Sequence, residues 1–198
     1  DYPEHCVLPQ ISEKVMKGTV THIDHCGMFF FQPHEGDPNV LECIQNSLEK
    51  ENLLLTIPKS GNLAIVFFDG KYHRAKIINV LHDFKVVCYF FDFGFTQKIS
   101  VRHIFEVNEK LIDDYFFFPE RGFHCKLSMV EPSYGKCPRG KWTMESIEVF
   151  RELVMNQPCE LEVYSMINNL ASVEVKIDGV NINEAMVKAG YAVRCDEC

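Results

Sequence analysis

Aromatic side chains crowd around two turn signals, Asp69-Gly70 and Phe93-Gly94, in the stretch FFDGKYHRAKIINVLHDFKVVCYFFDFGF, Phe67 to Phe95. A hydrophobic core uses Phe in strands, so any one of these rings reads first as packing. Rings on both sides of turn glycines suit a different chemistry. Several π-faces around one small volume hold a cation, each contact contributing about 0.5–2 kcal/mol. The other chemistry-bearing residues point to no reaction. Metal-assisted phosphodiester cleavage needs clustered carboxylates with arginines on the phosphate, whereas Asp24 and Asp178 stand singly beside turns. His22 and His25 are three apart near a strand end, a poor spacing for a shared metal. Cys195-Asp-Glu-Cys198 is a lone CxxC without a second pair, and the chain contains no phosphate loop, GxSxG or HExxH. Neither a metal nor a cofactor is expected, and no enzymatic activity.

These residues must be positioned by strands. Residues 15–32 predict a strand pair around Cys26-Gly27, β-branched before the turn and carrying Phe29–Phe31 after it. Asp37 and Pro38 open an amphipathic helix, with Val40, Leu41, Ile44 and Leu48 at helical spacing. Short β-runs then follow, LAIVFF, YHRAKIINV and KVVCYFF, with a last one near Ile99, so residues 55–106 predict a small antiparallel barrel. A strand over 123–130, a helix capped by Thr143, two strands (CELEVYSMI and ASVEVKI) and a final helix from Ile182 ending at Gly190 complete the order.

Composition bounds the partners. With 28 acidic and 20 basic residues the net charge is −8, which disfavours a mainly electrostatic grip on a nucleic-acid backbone and favours a cationic partner. Lys136, Arg139 and Lys141 form only a small basic loop. No apolar run approaches the roughly 18 residues that cross a bilayer, so no membrane partner is expected. The nine cysteines sit mostly in apolar surroundings and read as reduced, buried thiols. The start at Asp1 reads as a piece excised from a longer chain.

DGKYHRAKI (69–77) resembles the hairpin motif DG-x-W-Y-R-A-x-V of extended Tudor domains, and YFFDFGF (89–95) resembles their F-Y-I-D-Y-G-N strand end. FPERGFHCKLSMVEP (118–132) and VNINEAMVKAGYAV (180–193) are similar to the stretches that lead back into and close that fold. The resemblance implies a mainly β protein with α elements: a Tudor barrel inserted in a split staphylococcal-nuclease-like OB fold with a linker helix. The implied parts are 1–54 (N-terminal nuclease-like part and linker helix), 55–106 (Tudor core) and 107–198 (C-terminal nuclease-like part).

The resemblance also implies a function, the binding of dimethylarginine in Arg/Gly-rich tails of PIWI-type Argonaute proteins in germ granules around the nucleus. Carried over by position, the cage is Phe67, His73, Phe90 and Phe93, with Phe95 where the family has asparagine and Asp92 as a negative rim or an orienter of backbone. Phe90 and Phe93 alternate on an ideal strand and share a pocket only if the chain turns near Gly94. A three-residue loop Asp69-Gly70-Lys71 pairs Phe67 with His73, and a two-residue turn pairs Phe67 with Tyr72; the resemblance favours the first. His73 stacks when neutral and repels a guanidinium when protonated. Phe95 offers no acceptor for a guanidinium N–H. Three alternatives stay open: unmethylated peptide in a groove between the two bodies, single-stranded RNA on the OB-like part, and a scaffold with a degenerate cage.

Overall fold

The computed structural model describes residues 14–34, 57–107 and 120–196, together with the single helical position Asn46. The predicted helix from Asp37, the triplet Phe116–Phe118 and Cys198 lie outside the described residues. Strands β1 (Val15–His25) and β2 (Met28–Pro33) pair around Cys26-Gly27 as expected. Gly18 is required where they cross, because a Cβ there would lie 2.3 Å from the Gln32 carbonyl oxygen and 2.4 Å from the Phe31 ring.

The chain then enters a separate compact unit, described over 57–107 and 120–121. Its strands are β3 (Leu63–Phe68), β4 (Lys71–Val80), β5 (Lys85–Phe90), β6 (Thr96–Ser100) and β7 (Ile104–Phe105). They form one five-stranded antiparallel sheet in the order β6-β5-β4-β3-β7. Alternation turns Ala64, Val66, Ala75, Ile77, Val86, Cys88, Phe90 and Ile99 inward around a core that Ile104 completes.

The remaining elements return to the unit that β1 and β2 began, described over 14–34 and 122–196. They are β8 (Phe123–Leu127), β9 (Val130–Pro132), α1 (Met144–Val154), β10 (Pro158–Ile167), β11 (Leu170–Ile177), β12 (Val180–Asn181), α2 (Ile182–Lys188) and β13 (Ala192–Arg194). The order β10-β1-β2-β8-β11, with β11 pairing back to β10, closes a barrel with one parallel contact, β8 to β11. This is an OB-type closure that leaves the ring without an open edge. Phe29, Phe31, Phe123, Phe150 and Leu161 fill it. The Thr143 hydroxyl accepts from the Ser146 N–H to start α1, and Gly190, at φ +80°, follows α2 as the glycine after a helix should. Asn183 locks α2 onto the barrel: its amide donates to the Ser128 and Val173 carbonyls and accepts from the Val175 N–H.

Candidate functional site

The β3–β4 hairpin sets the site. Asp69 (φ 49°) and Gly70 (φ 75°) both occupy the left-handed region, so they form a two-residue turn of the primed kind that suits strand twist. The register is therefore Phe67 with Tyr72, Phe68 with Lys71 and Val66 with His73. This corrects the three-residue loop expected from the resemblance. A register slip of one residue exchanges which of two neighbours shares a face with the partner strand. Phe68, not Phe67, lies on the inner face with Val66 and His73.

The second hairpin supplies the rest. The Phe90 carbonyl accepts from the Gly94 N–H at 2.9 Å, and the Phe90 N–H donates to the Phe95 carbonyl at 2.9 Å. Gly94, at φ 76°, lets the chain reverse within four residues. That reversal brings Phe93 to the same side as Phe90, which strand alternation alone forbids. Five rings meet as a result. His73 lies 5.4 Å from Phe90 and 5.3 Å from Phe93, both edge-on. Phe68 is 5.5 Å from Phe90 and 6.0 Å from Phe95, and Phe93 is 6.3 Å from Phe95. Phe90 is fully buried and forms a floor, while Phe68, His73, Phe93 and Phe95 are half-buried around it.

Phe67 is elsewhere. It packs on Tyr72 at 4.9 Å and stacks on His103 at 6.3 Å, and Tyr72 meets Phe105. The ring that takes its place, Phe68, was missed by reading the sequence through the family pattern. The Asp-Gly pair, the strongest short signal for a two-residue primed turn, carried the correct register.

Asp92 is a buried anchor and not a rim. Its Oδ2 accepts from Arg74 Nε at 3.0 Å, its Oδ1 from Arg74 Nη2 at 2.5 Å, and Oδ1 also accepts the Arg121 N–H at 3.2 Å. The Arg74 and Asp92 side chains are only 3 % and 4 % exposed. The fork-on-carboxylate geometry ties the turn that carries Phe93 and Phe95 to the middle of β4.

Charge and space decide what the bowl can hold. His73 Nε2 donates to the Phe68 carbonyl at 3.1 Å. Burial pushes its imidazole below the ordinary value, against the opposing pull of that carbonyl and of Asp92. The ring is therefore neutral at pH 7 and presents a π-face. Phe95 stacks on Phe90 at 4.7 Å with 19° between planes. A guanidinium held between two faces needs about 3.5–4 Å on each side, so none fits between this pair. The ring surface left accessible belongs to Phe68, His73, Phe93 and Phe95. Among the described residues no cluster of three metal-ligating side chains exists, and no helix is long and apolar enough to cross a membrane.

A five-stranded antiparallel sheet that carries a cluster of aromatic rings, inserted in the chain of a second unit built as an OB-type barrel, is the architecture of an extended Tudor domain. The chain belongs to the Tudor domain family, whose profile matches residues 10–129. Among solved structures it is similar to the human TDRD1 extended Tudor domain in complex with a symmetrically dimethylated peptide, with a TM-score of 0.81 and 25 % identity, covering 96 % of this chain and 94 % of that one. The Drosophila melanogaster Papi extended Tudor domain shares the fold at a TM-score of 0.77 and 22 % identity, covering 92 % of this chain and all of that one. Among curated proteins the chain is 29 % identical to the probable ATP-dependent RNA helicase spindle-E of Drosophila ananassae and to that of Anopheles gambiae, over 98 % and 96 % of its length. It spans 14 % of each of those proteins.

Proposed function

We propose that this domain is a non-enzymatic reader that binds Arg-rich tails through the aromatic bowl of Phe68, His73, Phe90, Phe93 and Phe95, with dimethylarginine as the preferred side chain. The observation that carries this reading is the convergence of five rings, one of them a neutral histidine, on the two hairpins β3–β4 and β5–β6. A methylated guanidinium keeps its charge, loses donors and leaves water at less cost than an unmodified one, so π-surface favours it. Solved relatives support the same chemistry: the human TDRD1 domain holds a symmetrically dimethylated peptide, and mouse TDRD1 domain TD3 holds a MILI peptide containing dimethylarginine. Tails of PIWI-type proteins, and a place in germ granules, are part of the proposal, and a Papi extended Tudor domain in complex with a dimethylated Piwi N-terminal peptide supports the first.

Calorimetric titration with Arg/Gly peptides that carry unmodified, symmetric or asymmetric dimethylarginine tests the reading. Phe93→Ala is the control, because Phe90 is wholly buried and its truncation would report stability instead. The methylated peptides are expected to bind more tightly, and Phe93→Ala to remove about 0.5–2 kcal/mol of that affinity. Equal binding of all three peptides, indifferent to Phe93, overturns the reading and favours an unmethylated peptide held elsewhere.

The pH dependence has a definite sign. With its pKa lowered, His73 is neutral in the folded domain at pH 7 and becomes a cation only below the ordinary value of about 6.5. Affinity for the methylated peptide is expected to be flat from pH 8 to about 6.5 and to fall as the pH drops through the lowered His73 pKa. Titrations at stepped pH check this. An affinity that rises toward acid pH contradicts it.

A further inference from the structure

The bowl recognises a cation that still carries N–H groups, and such a donor needs an acceptor. Phe68, Phe90, Phe93 and Phe95 have none in their side chains. The Asp92 oxygens are buried and committed to Arg74 and to the Arg121 N–H. The nearby carbonyls of Phe68, Phe90 and Phe95 each accept a hydrogen bond within the hairpins. Among the side chains of the five rings, one acceptor lone pair is left, on His73. A carbonyl oxygen only accepts, so the 3.1 Å contact with Phe68 places the hydrogen on Nε2 and the lone pair on Nδ1. Nδ1 makes no hydrogen bond among the described residues, and it is not one of their buried unsatisfied atoms, so it keeps accessible surface.

We infer that His73 Nδ1 is the hydrogen-bond acceptor of this site and makes it selective for a methylguanidinium that retains an N–H over a quaternary ammonium of similar size and charge. The inference rests on the proposed function and adds its specificity-determining residue. The Phe68 carbonyl is part of the device, because it fixes the tautomer that leaves Nδ1 unprotonated. The charged groups that act on the ring are Asp69 and Lys71 from the β3–β4 turn and Asp92 from the turn after β5. Dimethylarginine in either isomer keeps N–H groups that Nδ1 can accept. Trimethyllysine keeps none, and gains from the rings alone.

The test uses the 198-residue chain and two peptides identical except for symmetric dimethylarginine or trimethyllysine at one position. His73→Phe keeps the aromatic wall and removes the acceptor. His73→Gln keeps an acceptor and removes the ring. Thermal melts first confirm that each variant folds. His73→Phe is expected to weaken the dimethylarginine peptide about tenfold or more, to leave the trimethyllysine peptide within about twofold, and to abolish the fall in affinity at acid pH. His73→Gln is expected to retain the preference for dimethylarginine over trimethyllysine while weakening both. Equal losses for the two peptides in His73→Phe, or no loss for dimethylarginine, overturn the assignment while leaving the aromatic bowl as the binding site. A wild-type chain that binds neither peptide more tightly than the unmodified one overturns the proposed function itself, and this assignment with it.

Discussion

Replacing Asp92 with alanine is expected to lower the unfolding free energy by about 3–5 kcal/mol, the cost of leaving one partner of a buried pair alone. The Arg74 side chain is 3 % exposed and has its two Asp92 contacts in the fork geometry, so the deletion removes the carboxylate that faces a buried cation. Against a total stability of about 5–15 kcal/mol for a domain of ordinary size, this is a large fraction. Asp92→Asn, which keeps one acceptor but no charge, should fall between the two. Glu148→Ala, which removes an exposed pair with Arg151, should shift stability by less than about 1 kcal/mol. Urea denaturation of the three variants reads the order directly. An Asp92→Ala protein as stable as the parent would mean that water or a rearranged Arg74 relieves the charge. The same variant should lose peptide affinity, because the Asp92 anchor holds the turn that carries Phe93 and Phe95.

Strand order was legible because its signals are local. Turn pairs at Asp69-Gly70 and Cys26-Gly27, alternation along KVVCYF and ASVEVKI, and the Thr143 cap each declare an element within a few residues. The aromatic site was legible as a constellation, and its members His73, Phe90, Phe93 and Phe95 do meet. What the family pattern obscured was the register of one hairpin. Phe67 and Phe68 are chemically identical neighbours, so only the count of residues in the turn decides which faces inward. Asp92 was ambiguous for another reason. Whether a carboxylate beside a turn faces solvent or a buried arginine depends on contacts 18 residues away, which no local signal encodes. The tautomer of His73 is of the same kind: it follows from a carbonyl on the neighbouring strand.

Replacing Phe95 with asparagine is expected to tighten binding of a dimethylarginine peptide while destabilising the fold. Phe95 is stacked on the Phe90 floor at 4.7 Å, and that contact closes the space a guanidinium would need against Phe90. An asparagine withdraws the ring, leaves room over the floor and brings a second acceptor to a site that otherwise has His73 Nδ1. An unmet N–H in such a site costs about 1–3 kcal/mol, so the gain should be roughly fivefold to a hundredfold in Kd. The opposing loss is the aromatic pair, about 0.5–1.5 kcal/mol beyond the burial of Phe95 against the barrel core. Calorimetry for affinity and urea denaturation for stability separate the two effects. The combined variant His73→Phe with Phe95→Asn is the sharper measurement, since the two acceptors serve one ligand and their effects should not add. If Phe95→Asn restores the affinity that His73→Phe removes, the two positions supply the same hydrogen bond from opposite walls. If Phe95→Asn instead weakens binding in both backgrounds, the stacked pair is itself the surface on which the cation rests, and the bowl works closed.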